Sequence, residues 1–214
     1  LDRTIEELQQ LQRVPTLLLH SCCAPCSSYV LEYLAEHFNI TVFFYNPNIT
    51  EKEEYEKRKN ELKRLISEKS FRYPVKMIDG DYSPQLFFDM AKGKEHVPEG
   101  GERCFLCYEM RLKETARLAK ELQYEYFCTT LSVSPHKNAV KLNELGAKYS
   151  KEYDIPYLYS DFKKRNGYKR SIELSHEYGL YRQNYCGCVY SRMQSERKEQ
   201  EKNFQNEMKT VVKP

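Results

Sequence analysis

Five short apolar runs, separated by segments of helical periodicity, constrain this chain more than any other feature. They are TLLLH (16–20), ITVFFYN (40–46), PVKMI (74–78), EYFCTTL (125–131) and IPYLYS (155–160). The first is continuous rather than alternating, the pattern of a strand covered on both faces. Between the runs, residues 26–38 carry Val30, Leu31, Leu34 and Phe38 on one helical face, and a charged stretch at 51–69 carries Leu62, Leu65 and Ile66. SPQLFFDMA reads as a helix capped by Ser83 with Pro84 in its first turn, and a longer helix is expected from Arg103 to about Lys120. Helices are also expected at 2–12, 138–152 and near 169–178, with a polar helical tail over about 189–214. Strand and helix in alternation build a parallel sheet by crossovers. The expected fold is α/β, a Rossmann-like parallel sheet with helices on both faces and a C-terminal helical extension, all in a single domain of residues 1–214.

Open α/β sheets place their chemistry in the loops at the carboxyl ends of the strands. The first such loop, SCCAPCSS (21–28), contains no glycine, although loops that bring backbone close to phosphate rely on glycine. Cysteines stand in those places, which favours a metal over a nucleotide. Of the 8 cysteines, all but Cys128 fall into three knots: Cys22, Cys23 and Cys26 in 20–28, Cys104 and Cys107 in 103–108, and Cys186 and Cys188 in 185–189. Thiolate is the soft ligand that selects zinc, copper(I) or iron–sulfur clusters. A structural zinc site takes four ligands and would leave three of these thiols without a purpose. A disulfide framework suits domains too small for a core, and 214 residues are enough to build one. Cys128, alone in an apolar run, reads as an ordinary buried residue. The CxxC pair at a helix start is placed where free N–H groups favour thiolate. The CxC pair closes so small a ring that its disulfide would be strained and reactive, and the same two thiols also suit a shared metal.

The charge balance is nearly even, with 34 basic and 31 acidic residues and a net charge of +3. Its distribution is less even: Lys163, Lys164, Arg165, Lys169 and Arg170 crowd one segment, and Arg182 follows. Many of the 18 tyrosines flank the cysteines, among them Tyr108, Tyr181, Tyr185 and Tyr190. Cations for phosphates and aromatic faces for splayed bases are what single-stranded RNA loops require. No apolar run approaches the roughly 20 residues of a membrane span.

Five ordered motifs, HSCCAPCS, YNPNI, RCFLCYEMRL, TTLSVSPHKN and GLYRQNYCGCVYS, spread from His20 to Ser191, resemble the QueH-type, cobalamin-independent epoxyqueuosine reductases. The resemblance implies a cytoplasmic enzyme that completes queuosine synthesis on tRNA. It would remove the epoxide oxygen of epoxyqueuosine at the wobble position of the anticodon arm, with electrons from an unidentified donor. It further implies that Cys22, Cys23, Cys104 and Cys107 hold a 4Fe-4S cluster and that Cys186 and Cys188 are redox-active. An additional mononuclear iron, with Cys26 available to it, is a second way to use the surplus thiols. Tyr108, beside the CxxC, and Asp81, in the DGDYS turn, are candidate catalytic groups, and His20 a weaker one. Arg111 is expected to meet phosphate or balance cluster charge, and His136 and Lys137 to contact RNA. Two other readings stay open at this point: a zinc-stabilised tRNA-binding module, and a thiol–disulfide oxidoreductase.

Overall fold

Four parallel strands form the sheet in the order β3-β2-β1-β4. The computed structural model describes residues 1–211. The strands are β1 Thr16–His20, β2 Asn39–Phe44, β3 Lys76–Asp79 and β4 Tyr126–Thr129. The α-helices among the described residues are α1 Asp2–Gln10, α2 Ala24–Leu34, α3 Lys52–Glu68, α4 Pro84–Ala91, α5 Glu102–Glu121, α6 Ala139–Tyr153, α7 Gly167–Glu177 and α8 Val189–Val211.

Central β1 pairs with β2 on one side, Leu19 opposite Val42, and with β4 on the other, Leu19 opposite Cys128. Successive side chains of a strand point to opposite faces. Leu17, Leu19, Val42 and Phe44 therefore meet Ile5, Leu31, Leu34, Leu62 and Leu65 from α1, α2 and α3 on one face. Leu18, Phe43 and Phe127 meet Leu112, Ala116, Leu142 and Leu145 from α5 and α6 on the other. Each of these buried leucines contributes roughly 1.5–3 kcal/mol. The continuous apolar character of TLLLH follows from this double covering, and the expected Rossmann-like sheet with helices on both faces is what forms. No helix among the described residues is long and apolar enough to cross a membrane.

Several local expectations need correction. The loop expected over 21–28 shrinks to residues 21–23, because Pro25 is accommodated in the first turn of α2 and the helix starts at Ala24. The helix expected from Arg103 is α5, so the knot in 103–108 is helical rather than a metal-binding loop, with Cys104 and Cys107 both inside it. The strand expected to reach 131 stops at Thr129, whose side chain accepts from the Leu131 N–H and turns the chain into a short 3-10 helix, Thr130–Val133. The strand expected at 155–160 reduces to a single parallel bridge between Tyr157 and Phe127. Ser83 stands at the N-cap of α4 without donating or accepting a capping bond there. The tail is helical through Val211, and residues 212–214 of that expectation lie outside the described residues.

Candidate metal centre

All three cysteine knots sit at helix N-termini. Cys23 is the N-cap of α2, and Cys26 lies in that helix's first turn. Cys104 lies in the first turn of α5, where the Gly100 N–H donates to its sulfur at 3.3 Å. Cys188 immediately precedes α8, and its sulfur accepts from the Ser191 N–H at 3.4 Å, as a capping oxygen would. Helix N-termini carry unpaired N–H groups and partial positive charge, so each end favours negative sulfur.

The first knot is the tightest. The sulfurs of Cys22, Cys23 and Cys26 lie within 4.8 Å of one another, a spacing that fits one metal ion. Hydrogen bonds from the Cys22 and Cys26 thiols, with the Arg58 charge behind them, hold Cys23 well below the usual thiol range. The same bond to Cys23 pushes Cys22 up to about 11. The loop is fastened from the neighbouring strands. His20 is fully buried, with Nδ1 2.9 Å from the Thr129 hydroxyl and Nε2 3.0 Å from the Tyr45 carbonyl, and Asn46 Nδ2 donates to the Ser21 carbonyl at 2.8 Å. Burial, with Arg111 adding to it, lowers His20 to about 4, so its imidazole is neutral and spans two strands.

The other two knots share a cavity. On α5, Cys104, Cys107, Tyr108 and Arg111 follow the i, i+3, i+4, i+7 spacing of one helix face, and all four are buried. Cys186 and Cys188 close the cavity with Asn48, Glu99, Lys137 and Ser191. The CxC turn is pinned by buried Arg58, which donates to the carbonyls of Cys186 at 3.0 Å and Tyr185 at 3.3 Å while pairing with Glu54 at 2.6 Å. Burial pushes the Cys107 thiol up to about 11 and Cys188 up to about 12.

Lys137 is turned inward rather than toward the surface role its sequence neighbours suggested. Its side chain is 8% exposed, and Nζ lies 3.0 Å from the Cys186 sulfur and 3.3 Å from Glu99 Oε1. Glu99 also accepts from the Ser191 hydroxyl at 2.9 Å, and that hydroxyl accepts from the Cys186 N–H at 3.0 Å. The four residues thus form a closed ring around Cys186. Burial opposes the Lys137 ammonium, yet the neighbouring Cys186 sulfur and Glu99 carboxylate hold its pKa well above normal. Burial raises Tyr108, leaving a neutral phenol whose ring centre is 5.9 Å from Lys137 Nζ.

Buried cations lie between the knots. Thiolates at Cys107, Cys186 or Cys22, one from each knot, would stabilise the Arg111 charge, and thiolates at Cys23 or Cys186 that of Arg58. No trio mixing the knots meets the 4.8 Å spacing among the described residues. A four-iron cube separates the sulfurs that hold it more widely than a single ion does. Seven thiols with buried cations between them have the chemistry of an iron–sulfur donor set. Asp81, by contrast, is exposed on the turn after β3 and lies outside the lining of the cysteine cavity. Cys128 is fully buried in β4, its sulfur 3.2 Å from the Leu158 carbonyl, as its isolation suggested.

The basic segment is more occupied than its composition implies. Lys163 Nζ donates to the carbonyls of Ser132 and Lys137 and pairs with Asp161 at 3.1 Å. Arg165 pairs with Asp2, and Arg170 with Glu32, Glu173 and Glu177. Lys164 and Lys169 have no ion pair among the described residues and are exposed. Lys164 and Arg165 line a cleft with Tyr29, Tyr33 and Tyr159, the last 53% exposed.

A family model described as epoxyqueuosine reductase QueH matches residues 17–194. Proteins named epoxyqueuosine reductase QueH align over most of the chain. One from Streptococcus pyogenes is 45% identical over 193 residues, 86% of this chain and 76% of its own length. One from Staphylococcus epidermidis is 46% identical over 183 residues, 84% of this chain and 77% of its own. One from Thermotoga maritima is 34% identical over 192 residues, 87% of this chain and 95% of its own. The matched span runs from β1 into the first turns of α8 and takes in all three knots, and so the chain belongs to the epoxyqueuosine reductase QueH family.

Proposed function

We propose that this chain reduces epoxyqueuosine to queuosine at the wobble position of a tRNA anticodon arm, in the cytoplasm, using an iron–sulfur centre held by its cysteine knots. The observation that carries the reading is the delivery of seven thiols, by three helix N-termini, around buried cations. The assignment of ligands is the one the family resemblance implies: Cys22, Cys23, Cys104 and Cys107 for a 4Fe-4S cluster, with Cys26 available to that site or to an additional mononuclear iron. When bound, such a centre supplies electrons one at a time.

Converting the epoxide to an alkene releases its oxygen as water and consumes two electrons and two protons. Oxidation of the Cys186 and Cys188 thiols to a disulfide yields two electrons and two protons, so the CxC pair balances one turnover. An external one-electron donor then restores the dithiol in two steps. Lys137, 3.0 Å from the Cys186 sulfur, holds that thiol in place by charge. Its ammonium and the neutral Tyr108 phenol both line the cavity beside Cys186, and they relay to the departing oxygen the two protons that the dithiol releases. On the outside, Lys164 and Lys169 take phosphates, with Lys163, Arg165 and Arg170 behind them. The cleft of Tyr29, Tyr33 and Tyr159 offers faces for bases.

The test pairs chemistry with composition. Anaerobically purified protein is given an anticodon-arm RNA carrying epoxyqueuosine and excess reductant, and iron and sulfide are counted. The wild-type chain should form queuosine, and the Cys104→Ala, Cys107→Ala double variant should lose both cluster and turnover. Full iron and sulfide in that variant, or a colourless zinc-loaded wild type, would sink the reading.

A further inference from the structure

A guanidinium carries five N–H donors, and burial leaves each of them in need of an acceptor. Three arginines are buried beside the cysteines, and that need is met differently in each. Arg103 spends Nη1 on the carbonyls of Lys94 and Glu95. Arg58 spends its donors on Glu54 and on the carbonyls of Cys186 and Tyr185. Arg111 is 1% exposed, and its Nε donates to the Cys107 carbonyl at 3.1 Å. Nη1 and Nη2 of Arg111 are buried with no partner, and no carboxylate pairs with it among the described residues. Asn48, from the turn after β2, lines the same cavity with both amide atoms buried and unpartnered. Three donor atoms and one acceptor from two separate elements thus stand ready in a cavity whose other wall is Cys104, Cys107, Cys186 and Cys188.

We propose that Arg111, assisted by Asn48, donates hydrogen bonds to sulfur of the iron–sulfur centre and raises that centre's reduction potential. The inference rests on the reading above that the knots hold such a centre. Reduction adds negative charge to the cluster, so a fixed cation and N–H donors stabilise the reduced form more than the oxidised one. The acceptor is sulfur rather than phosphate because the cavity is walled by thiols, and a phosphate would stand against their charge. Arg111 also has the right place in the fold. Lying seven residues beyond Cys104 on the same helix face, it lines the cavity that the second and third knots share.

The test is a redox titration of the reconstituted protein, followed by its visible absorbance, alongside iron and sulfide counts. Wild type, Arg111→Lys, Arg111→Met and Asn48→Leu are compared. At full iron content, Arg111→Met should shift the oxidised-to-reduced ratio at fixed potential by about tenfold toward oxidised, equal to about 59 mV for a one-electron couple. Arg111→Lys, which keeps the charge and loses the fork, should shift less, and Asn48→Leu should shift in the same direction. Unchanged potentials at full loading would overturn the proposal and make Arg111 a water-satisfied structural residue. Failure of both Arg111 variants to load iron would also overturn it, in favour of a role in assembling the site. A wild type that binds no iron would fail at the earlier step and refute the functional reading instead.

Discussion

Gly187 answers two separate demands at once. Its φ of +120° is one that side chains of L-residues rarely adopt, and a Cβ there would stand 2.9 Å from Ile49 Cγ1 and 3.1 Å from Arg58 Nη1. Gly93 makes only the first demand, with φ of +77° and open space around it. Gly93→Ala should therefore cost about 1 kcal/mol, and Gly187→Ala more, about 2–3 kcal/mol, because it also pushes on the arginine that pins the CxC turn. Urea unfolding of the two variants measures the difference. Equal losses would mean that Ile49 and Arg58 simply yield. The contrast between Gly187 and Lys137 marks how far single residues are readable. A glycine between two cysteines announces a tight turn. Lys137 gives no such signal, because its partners Glu99 and Cys186 lie 38 and 49 residues away in the chain. Its burial is a product of tertiary structure, and a lysine in a polar loop looks like a surface lysine.

At the scale of elements, the helices with a clear apolar face and the two inner strands were legible. What was not legible is where elements stop. The run EYFCTTL has strand composition to its end, but the Thr129 side chain competes for the backbone and ends the strand. IPYLYS has strand composition too, yet it pairs through one bridge only, and α6 lies close against it. That approach is set by Gly146, where a Cβ would fall 2.3 Å from Cε1 of buried Tyr157. Glycine in a helix interior ordinarily costs about 1 kcal/mol relative to alanine. Here the sign should reverse. Gly146→Ala is expected to destabilise by about 1–3 kcal/mol through overpacking, read as a lower urea midpoint. A variant more stable than wild type would show that Tyr157 has room to move. The three cysteine knots obey the same logic: their spacing was legible and the starts of α5 and α8 were too, but the start of α2 at Ala24, which draws Cys26 into a helix, was not.

Over the whole molecule, the charge that matters is the charge left unpaired. The net +3 and the basic run at 163–170 suggest one continuous RNA-binding patch. In the fold, Arg170 is drawn to Glu32 on α2, 2.9 Å from Nε, and Lys163 is turned in toward the Ser132 and Lys137 carbonyls. Such pairings across elements cannot be read from a run of letters. They divide the segment into cations that tie helices together and cations that remain for a partner. Each phosphate contact to a single strand contributes about 0.7 to the slope of log affinity against log salt. Replacing both Lys164 and Lys169 by Gln should therefore weaken binding of an anticodon-arm RNA and reduce that slope by about 1.4. Arg170→Gln should leave the slope nearly unchanged while lowering thermal stability, since it removes the α7 partner of Glu32 and leaves that carboxylate to Lys69. Salt titrations of RNA affinity, read beside melting curves, separate the two roles. The opposite pattern, with Arg170 carrying the slope, would mean that its ion pairs open to RNA and that the binding surface extends across α7.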